Sequence, residues 1–329
     1  MMSTSQTTDA QSSSLNVLDT TNALDPTFAA IDWQAPWLNH LNQLDYLSHR
    51  VKRLSNRTKQ TDTPNINPSY NTTIIAELLN TALTQQHKTL PPQTKPTQNN
   101  QAQALQFVAQ DTLPEGEAYE SFISSTGNIP TRDNLHDLFN GSIWLTFPKT
   151  KALLNYHHMG QIAVQGIRDI RGRVRDTITV FDENGAILVT SEPQIGEAVI
   201  NFDWQASLVS PRDNWENLRQ PNKEAKAAVY IFGHALLEQL IQPRKPLCAH
   251  SVIINVTPDF FTLSLPDRLA YIDNKLAEHM YQLLSQDDIT PRNLSPLPIL
   301  GVPHFWDDNA NPEFYKDSDV FRSGRRQQV

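Results

Sequence analysis

The chain has 329 residues and a formal net charge of −8, from 27 Lys and Arg against 35 Asp and Glu; that balance argues against non-specific nucleic-acid binding, which needs clustered cations against phosphate. No run approaches the ~18 apolar residues of a membrane span, and the single cysteine, Cys248, excludes an intrachain disulfide and a cysteine zinc cluster. The hydrophobic fraction of 39% is that of a foldable part diluted by polar tails, and the Ser/Thr/Gln-rich N-terminus has neither the basic start nor the apolar stretch of a secretory signal, so a cytoplasmic location is expected.

Composition predicts a disordered tail over 1–27, a single globular domain over 28–322 with a flexible polar insertion at about 55–104, and a second tail over 323–329. Trp37, Leu41, Leu44, Leu47, Val51 and Leu54 recur at near-helical spacing, which predicts a helix over 36–54 with Pro36 in its first turn. Ile74–Leu83 is an apolar patch inside the insertion and a candidate helix. Leu105–Ala109 reads as a short strand and Ala118–Ser125 as a short helix ended by Gly127 and Pro130. Thr131 is placed to cap a helix over Arg132–Leu145, and a second helix, Lys149–Gln165, follows Pro148. Alternation then predicts a β-hairpin, with strands Val174–Phe181 and Ala186–Thr190 around the turn Asp182-Glu183-Asn184-Gly185 and Gly185 at positive φ. A further strand is expected at Ala198–Trp204, a helix at Lys223–Gln242, a strand at Cys248–Val256 and an amphipathic helix at Leu265–Leu284. Leu297–Arg322, rich in Pro, aromatics and Asp, reads as an ordered wrapping loop. The sum is an α+β fold, a mainly helical single domain with a small, partly antiparallel sheet that includes a hairpin.

Patterning places ionisable groups on faces that should be apolar. Asp176 falls among Val174, Ile178 and Val180 on one face of the expected hairpin. His234 sits in a helix apolar on nearly every side, with Glu238 one turn later on the same face. His250 shares a strand face with Val252, Ile254 and Val256, and the short link from Pro243 to Ala249 predicts that it lies within roughly 10 Å of His234. Arg132, His136 and Asn140 form a stripe at i, i+4 and i+8, with Asp137 alongside. Taken singly, each is more readily an ordinary group: Asp176 paired with an arginine such as Arg171, His234 and Glu238 a surface pair, His250 a hydrogen-bonded core histidine. Taken together, His136, Asp137, Asp176, His234, Glu238 and His250 are a candidate catalytic set, because perturbed ionisable groups from separate elements gather at sites. Such a set also suits a divalent metal such as Zn²⁺, Mn²⁺ or Fe²⁺, although HExxH, Walker, GxSxG and dinucleotide glycine motifs do not occur. Arg132, Arg171 and Arg173 are candidate anion-binding residues through guanidinium forks.

Many of these residues also fall in a recognisable pattern: Thr126-Gly127, Pro130-Thr131-Arg132, Asn134-Leu135-His136-Asp137, Phe139-Asn140, Trp144-Leu145, Phe147-Pro148-Lys149, Arg175-Asp176, Phe181-Asp182-Glu183-Asn184-Gly185, Phe232-Gly233-His234-Ala235 with Glu238, Ala249-His250 and Leu300-Gly301-Val302-Pro303. The chain resembles, over roughly 28–322, the uncharacterised bacterial family named domain of unknown function three-zero-two-five, with departures at His304 and Phe305. The resemblance implies no activity, substrate or catalytic residues, but its signature contains the same His, Asp and Glu residues that patterning selects. Two functional readings follow. One is a hydrolase-like enzyme acting on an anionic small molecule, with the histidines as metal ligands or general bases. The other is a non-catalytic ligand-binding or protein-interaction module, with a buried polar network and Phe305, Trp306, Phe314 and Tyr315 as contact surface. Convergence of the side chains on one accessible place separates the first from the second.

Overall fold

The computed structural model describes residues 24–55, 73–86, 105–165, 172–220 and 224–324. Most of the tails expected to be disordered, and most of the expected insertion, lie outside the described residues; within the expected N-terminal tail, Leu24 is instead buried and Asp25 caps a 3-10 helix, Pro26–Ala30. A 3-10 helix, Pro36–Leu44, runs directly into α1, Asp45–Ser55, so the helical stretch expected there is present with its first half more tightly wound. The apolar patch within the polar stretch is α2, Ile74–Gln86, which buries Ile75, Ala76, Leu78, Leu79 and Ala82. β1, Gln106–Ala109, pairs in parallel with β2, Asn128–Thr131, across α3, Tyr119–Thr126. Gly127 ends α3 at φ 73, the left-handed position that glycine reaches without a Cβ clash.

α4, Leu135–Thr146, starts later than the pattern suggests. Thr131 closes β2, and Asn134 is the N-cap, its side chain accepting from Asp137 N–H at 2.8 Å. α5, Pro148–Gln165, follows as expected. The expected hairpin is absent. Its first strand is α6, Arg173–Asn184, because Val174, Thr177, Ile178 and Phe181 stand at i, i+3, i+4 and i+7 and their burial on a helical stripe wins over a short polar alternation. Gly185 has φ −74 and opens β3, Gly185–Thr190, so no turn at positive φ exists there. Glycine is required at this position by crowding, since a Cβ would lie 2.2 Å from the Phe181 carbonyl oxygen.

Two further expectations fail for the same reason, that a short apolar run has no period of its own. Ala198–Trp204 is not a strand: α7, Pro193–Ile200, covers its start, with Pro193 in the first turn. Lys223–Gln242 is not a helix. It contains β4, Ala227–Ile231, then Phe232-Gly233, then the short α8, His234–Gln239. β4 pairs antiparallel with β3, but residues 191–226 and α7 connect them. β5, Cys248–Asn255, lies parallel to β3, and β6, Ser295–Pro298, closes the order β4-β3-β5-β6 as an antiparallel edge strand. α9, Leu265–Leu284, buries Leu269, Ile272, Leu276, Met280 and Leu284 on one stripe.

The architecture is therefore mainly helical α+β, with two small sheets. β3 and β4 are buried along their whole length. One continuous apolar cluster runs from Leu24 to Phe321. Beyond β6 the chain wraps in 3-10 turns, held where Trp204 Nε1 donates to the Arg322 carbonyl at 2.8 Å and Tyr315 Oη to the Gly301 carbonyl at 2.8 Å. No helix of the described residues is long and apolar enough to cross a membrane.

Candidate functional site

The site forms at one end of the four-stranded sheet, where β3 begins opposite the end of β4. Three helix ends meet there. α6 delivers Asp182 and Glu183 from its last turn, α8 delivers His234 as its first residue and Glu238 one turn on, and α4 delivers His136 from its first turn. The close approach depends on Gly233. Its N–H donates to the Gly185 carbonyl at 2.8 Å, and a Cβ on it would lie 2.5 Å from Asn184 Cα, the Glu183 carbonyl oxygen and Gly185 N. Only a residue without a side chain lets the β4–α8 turn close onto the α6–β3 junction.

That closure sets His234 against the acids of α6 and against His136. The two Nε2 atoms are 3.1 Å apart, with the rings edge to face and centroids 4.5 Å apart. His234 Nε2 is 3.3 Å from a Glu183 carboxylate oxygen, and His234 Nδ1 is 3.9 Å from Asp182 Oδ2. His136 Nδ1 is held at 3.2 Å by the Glu238 carboxylate. His234 is buried, 5% of its side chain being exposed, while the His136, Glu183 and Glu238 side chains keep 34%, 35% and 43% of theirs, so the group opens to solvent on one side. Behind it Lys151, from α5, donates to Asp182 at 2.6 Å and to Asn140 Oδ1 at 2.9 Å, and its ammonium lies 5.4 Å from the Trp144 ring centroid. Asn140 Nδ2 in turn donates to Tyr119 Oη at 3.1 Å.

The electrostatics follow from this packing. Burial pushes His234 down to about 4, against the pull of Asp182 and helped by Lys151 and His136, so its imidazole is neutral. Burial, then the neighbouring Asp182 charge, raises Glu183 above the usual carboxylate range. Burial also works against the Asp182 anion, but the Lys151 ammonium, which donates to it at 2.6 Å, outweighs it and holds that carboxyl low. One ring nitrogen each of His136 and His234 and a Glu183 carboxylate oxygen lie within 4.8 Å of one another, a grouping that could hold a metal ion.

Every residue of this cluster falls within residues 105–325, which match the model of the family described as protein of unknown function (DUF3025). The chain belongs to the DUF3025 family. No curated protein and no solved structure matches it.

The DUF3025 fold brings together three of the six carboxylates and histidines selected from sequence: His136, His234 and Glu238. Asp137 is buried and turned away, its carboxylate accepting from Arg132 N, Nε and Nη2 at 2.6, 3.0 and 2.9 Å. That fork occupies the Arg132 guanidinium, so the Arg132–Asp137 pair braces the β2–α4 junction. Asp176 lies in the first turn of α6, about 10 Å of helix before Glu183. His250 stands on β5 opposite Gly185, half-buried, with Nδ1 enclosed and unpartnered. Among the described residues no hydrogen bond, ion pair or ring contact joins it to His136 or His234. Arg173 is exposed at the start of α6, about 15 Å of helix from Glu183. Arg171 lies outside the described residues.

Sequence reading missed Glu183, Asp182 and Lys151. Asp182 and Glu183 were hidden by the turn-like Asp-Glu-Asn-Gly, and the i, i+3, i+4, i+7 stripe ending at Phe181 is the signal that would have placed them on a helix. Nothing local marks Lys151, whose burial depends on partners from α4 and α6. The aromatic C-terminal loop is largely satisfied within the domain: Phe314, Tyr315 and Phe321 pack on one another at 5.0 to 5.7 Å between centroids. Trp306 instead lines two clefts of about 360 and 280 Å³, which share it with Arg219 and Asp307 and do not include the histidine cluster.

Proposed function

We propose that this DUF3025 domain is a hydrolase-like enzyme whose reacting water is held where His136, His234 and Glu183 converge. The observation that supports it most directly is the 3.1 Å approach of the two Nε2 atoms beside the Glu183 carboxylate, in a group open to solvent on one side. A purely structural network would be sealed, whereas this one combines a buried, fixed imidazole with half-exposed partners that a substrate can reach. Glu238 orients His136, and the Lys151–Asp182 pair fixes α6 against α5 behind the site.

An anionic substrate fits this reading under one condition. Arg132 is committed to Asp137 and Arg173 is remote, so neither supplies positive charge at the cluster. Asp182, Glu183 and Glu238 outnumber Lys151, and an anion approaching them needs a further cation. The test is a panel of phosphomonoesters, phosphodiesters, carboxylic esters and amides offered to the full chain. Turnover of one class, lost in His136→Ala, is expected; no turnover of any class, or turnover indifferent to His136→Ala, overturns the reading. A second reading, a binding module, draws on the paired clefts at Trp306 and Arg219. It predicts small-molecule binding abolished by Trp306→Ala and unchanged by His136→Ala.

A further inference from the structure

We propose that His136 Nε2, His234 Nε2 and one Glu183 carboxylate oxygen are three ligands of a first-row divalent cation, with Glu238 holding the His136 imidazole from behind. This rests on the hydrolase reading only for the use made of the ion, and it specifies the cation that reading lacks.

Spacing is the first argument. Nitrogen and oxygen ligands bind such an ion at about 2.0–2.2 Å in tetrahedral geometry, which sets neighbouring ligand atoms about 3.3–3.5 Å apart. Here Nε2 to Nε2 is 3.1 Å and His234 Nε2 to the Glu183 oxygen is 3.3 Å, and the three residues offer ligand atoms within 4.8 Å of one another. The donors come from α4, α6 and α8, so the spacing is a product of tertiary packing and not of one helical turn.

The outer carboxylates are the second argument. Glu238 sits on His136 Nδ1 at 3.2 Å, and Asp182 lies 3.9 Å from His234 Nδ1, an atom that is buried and has no hydrogen-bond partner. The Glu238 carboxylate keeps the His136 proton on Nδ1 and turns a bare Nε2 inward, the arrangement that orients metal-bound histidines, and Asp182 is the carboxylate on the Nδ1 side of His234, at 3.9 Å. With His234 protonated on Nδ1 as well, both Nε2 lone pairs face each other and the Glu183 oxygen; the alternative is one proton shared between the two nitrogens at 3.1 Å. Three electron-pair donors at that distance repel unless a cation sits among them. Asp182 is itself anchored by Lys151, so this outer layer is fixed on both sides.

Charge is the third argument. Three carboxylates surround the group and Lys151 supplies one positive charge, leaving a deficit that a divalent ion balances. Two imidazoles and one carboxylate select Zn²⁺, Fe²⁺, Mn²⁺ or Co²⁺ over the all-oxygen preference of Ca²⁺ and Mg²⁺. Three protein ligands leave a coordination position free for water, as catalytic and not structural sites do.

The experiment uses the full chain, dialysed against a chelator and then titrated with Zn²⁺ alone and Co²⁺ alone. Uptake of one equivalent per chain is expected, with visible Co²⁺ absorption bands of a nitrogen-bearing site. His234 is buried and its removal risks misfolding, so the half-exposed His136→Ala and Glu183→Ala variants carry the test. Each should weaken Zn²⁺ binding about a hundredfold or more, and Glu238→Gln about tenfold to a hundredfold. His250→Ala is the control and should bind as the unaltered chain does. Absence of stoichiometric uptake, or Zn²⁺ binding by His136→Ala and Glu183→Ala as tight as by the unaltered chain, overturns the proposal, as does a site filled only by a proton shared between the two imidazoles. Uptake without hydrolysis of any substrate class sinks the hydrolase reading alone. Hydrolysis that is lost in His136→Ala but survives the chelator sinks the metal proposal alone.

Discussion

Two of the buried histidines, His40 and His234, are covered to nearly the same degree and do opposite things. His40, at 2% exposure, and His234, at 4%, are both driven neutral by burial, to about 3 and about 4. His40 is sealed among rings: Phe147 stacks at 6.1 Å between centroids, Tyr230 meets it edge-on at 6.4 Å, and the space beside it is about 10 Å³, roughly one water. His234 is ringed by His136, Asp182 and Glu183, all of which keep part of their side chains in solvent. Burial and a shifted titration are thus common to both places; what distinguishes the second is convergent carboxylates and an open side.

The sharpest way to break that comparison is by substitution in each place. On the proposed hydrolase reading, His136→Ala should lower turnover about a hundredfold or more, the scale of one organised catalytic group, and leave the thermal melt close to that of the unaltered chain. His40→Ala should do the reverse, lowering the melting temperature while turnover per folded molecule is kept; loss of activity in His40→Ala at constant stability would erase the distinction.

Gly233→Ala probes how the open site is assembled. The added methyl meets backbone atoms of 183–185 at 2.5 Å, so the β4–α8 turn must retreat. A loss of about 1–3 kcal/mol in denaturant unfolding is expected, as for other overpacked positions, together with loss of the site. A variant as stable as the parent would mean that the turn has room to move.

The sealed histidine makes a pH prediction. A histidine whose folded value is lowered stabilises the fold fully above its unfolded value of 6.5, and that stability is lost as pH falls toward about 3. Between pH 7 and 5 His40 should account for about 2 kcal/mol of the fall in unfolding free energy. His40→Leu should remove that part of the slope, and parallel curves for the two proteins would refute the assignment. The smallest effect is expected from Glu238→Gln, about tenfold in turnover, because it acts on His136 and not on the reacting water. A drop as large as that of His136→Ala would give Glu238 a direct part in the reaction.

Sequence by itself determined the strand at β5, the helices α5 and α9, the mainly helical α+β class and the family. In each of these elements one period or a proline boundary was unambiguous. It also selected His136, His234 and Glu238 jointly as candidates, and those three meet, although His234 opens a short helix and not the middle of a long one. Tertiary structure alone decided the rest. Ala227–Ile231 is a strand because β3 supplies its hydrogen bonds, and Arg173–Asn184 is a helix because Thr177, Ile178 and Phe181 find a core to enter. Short apolar runs fit either state until a partner chooses. Asp182, Glu183 and Lys151 join the site for the same reason: they reach it from α6 and α5, and only the packing of those helices against α4 and α8 brings them to the histidines.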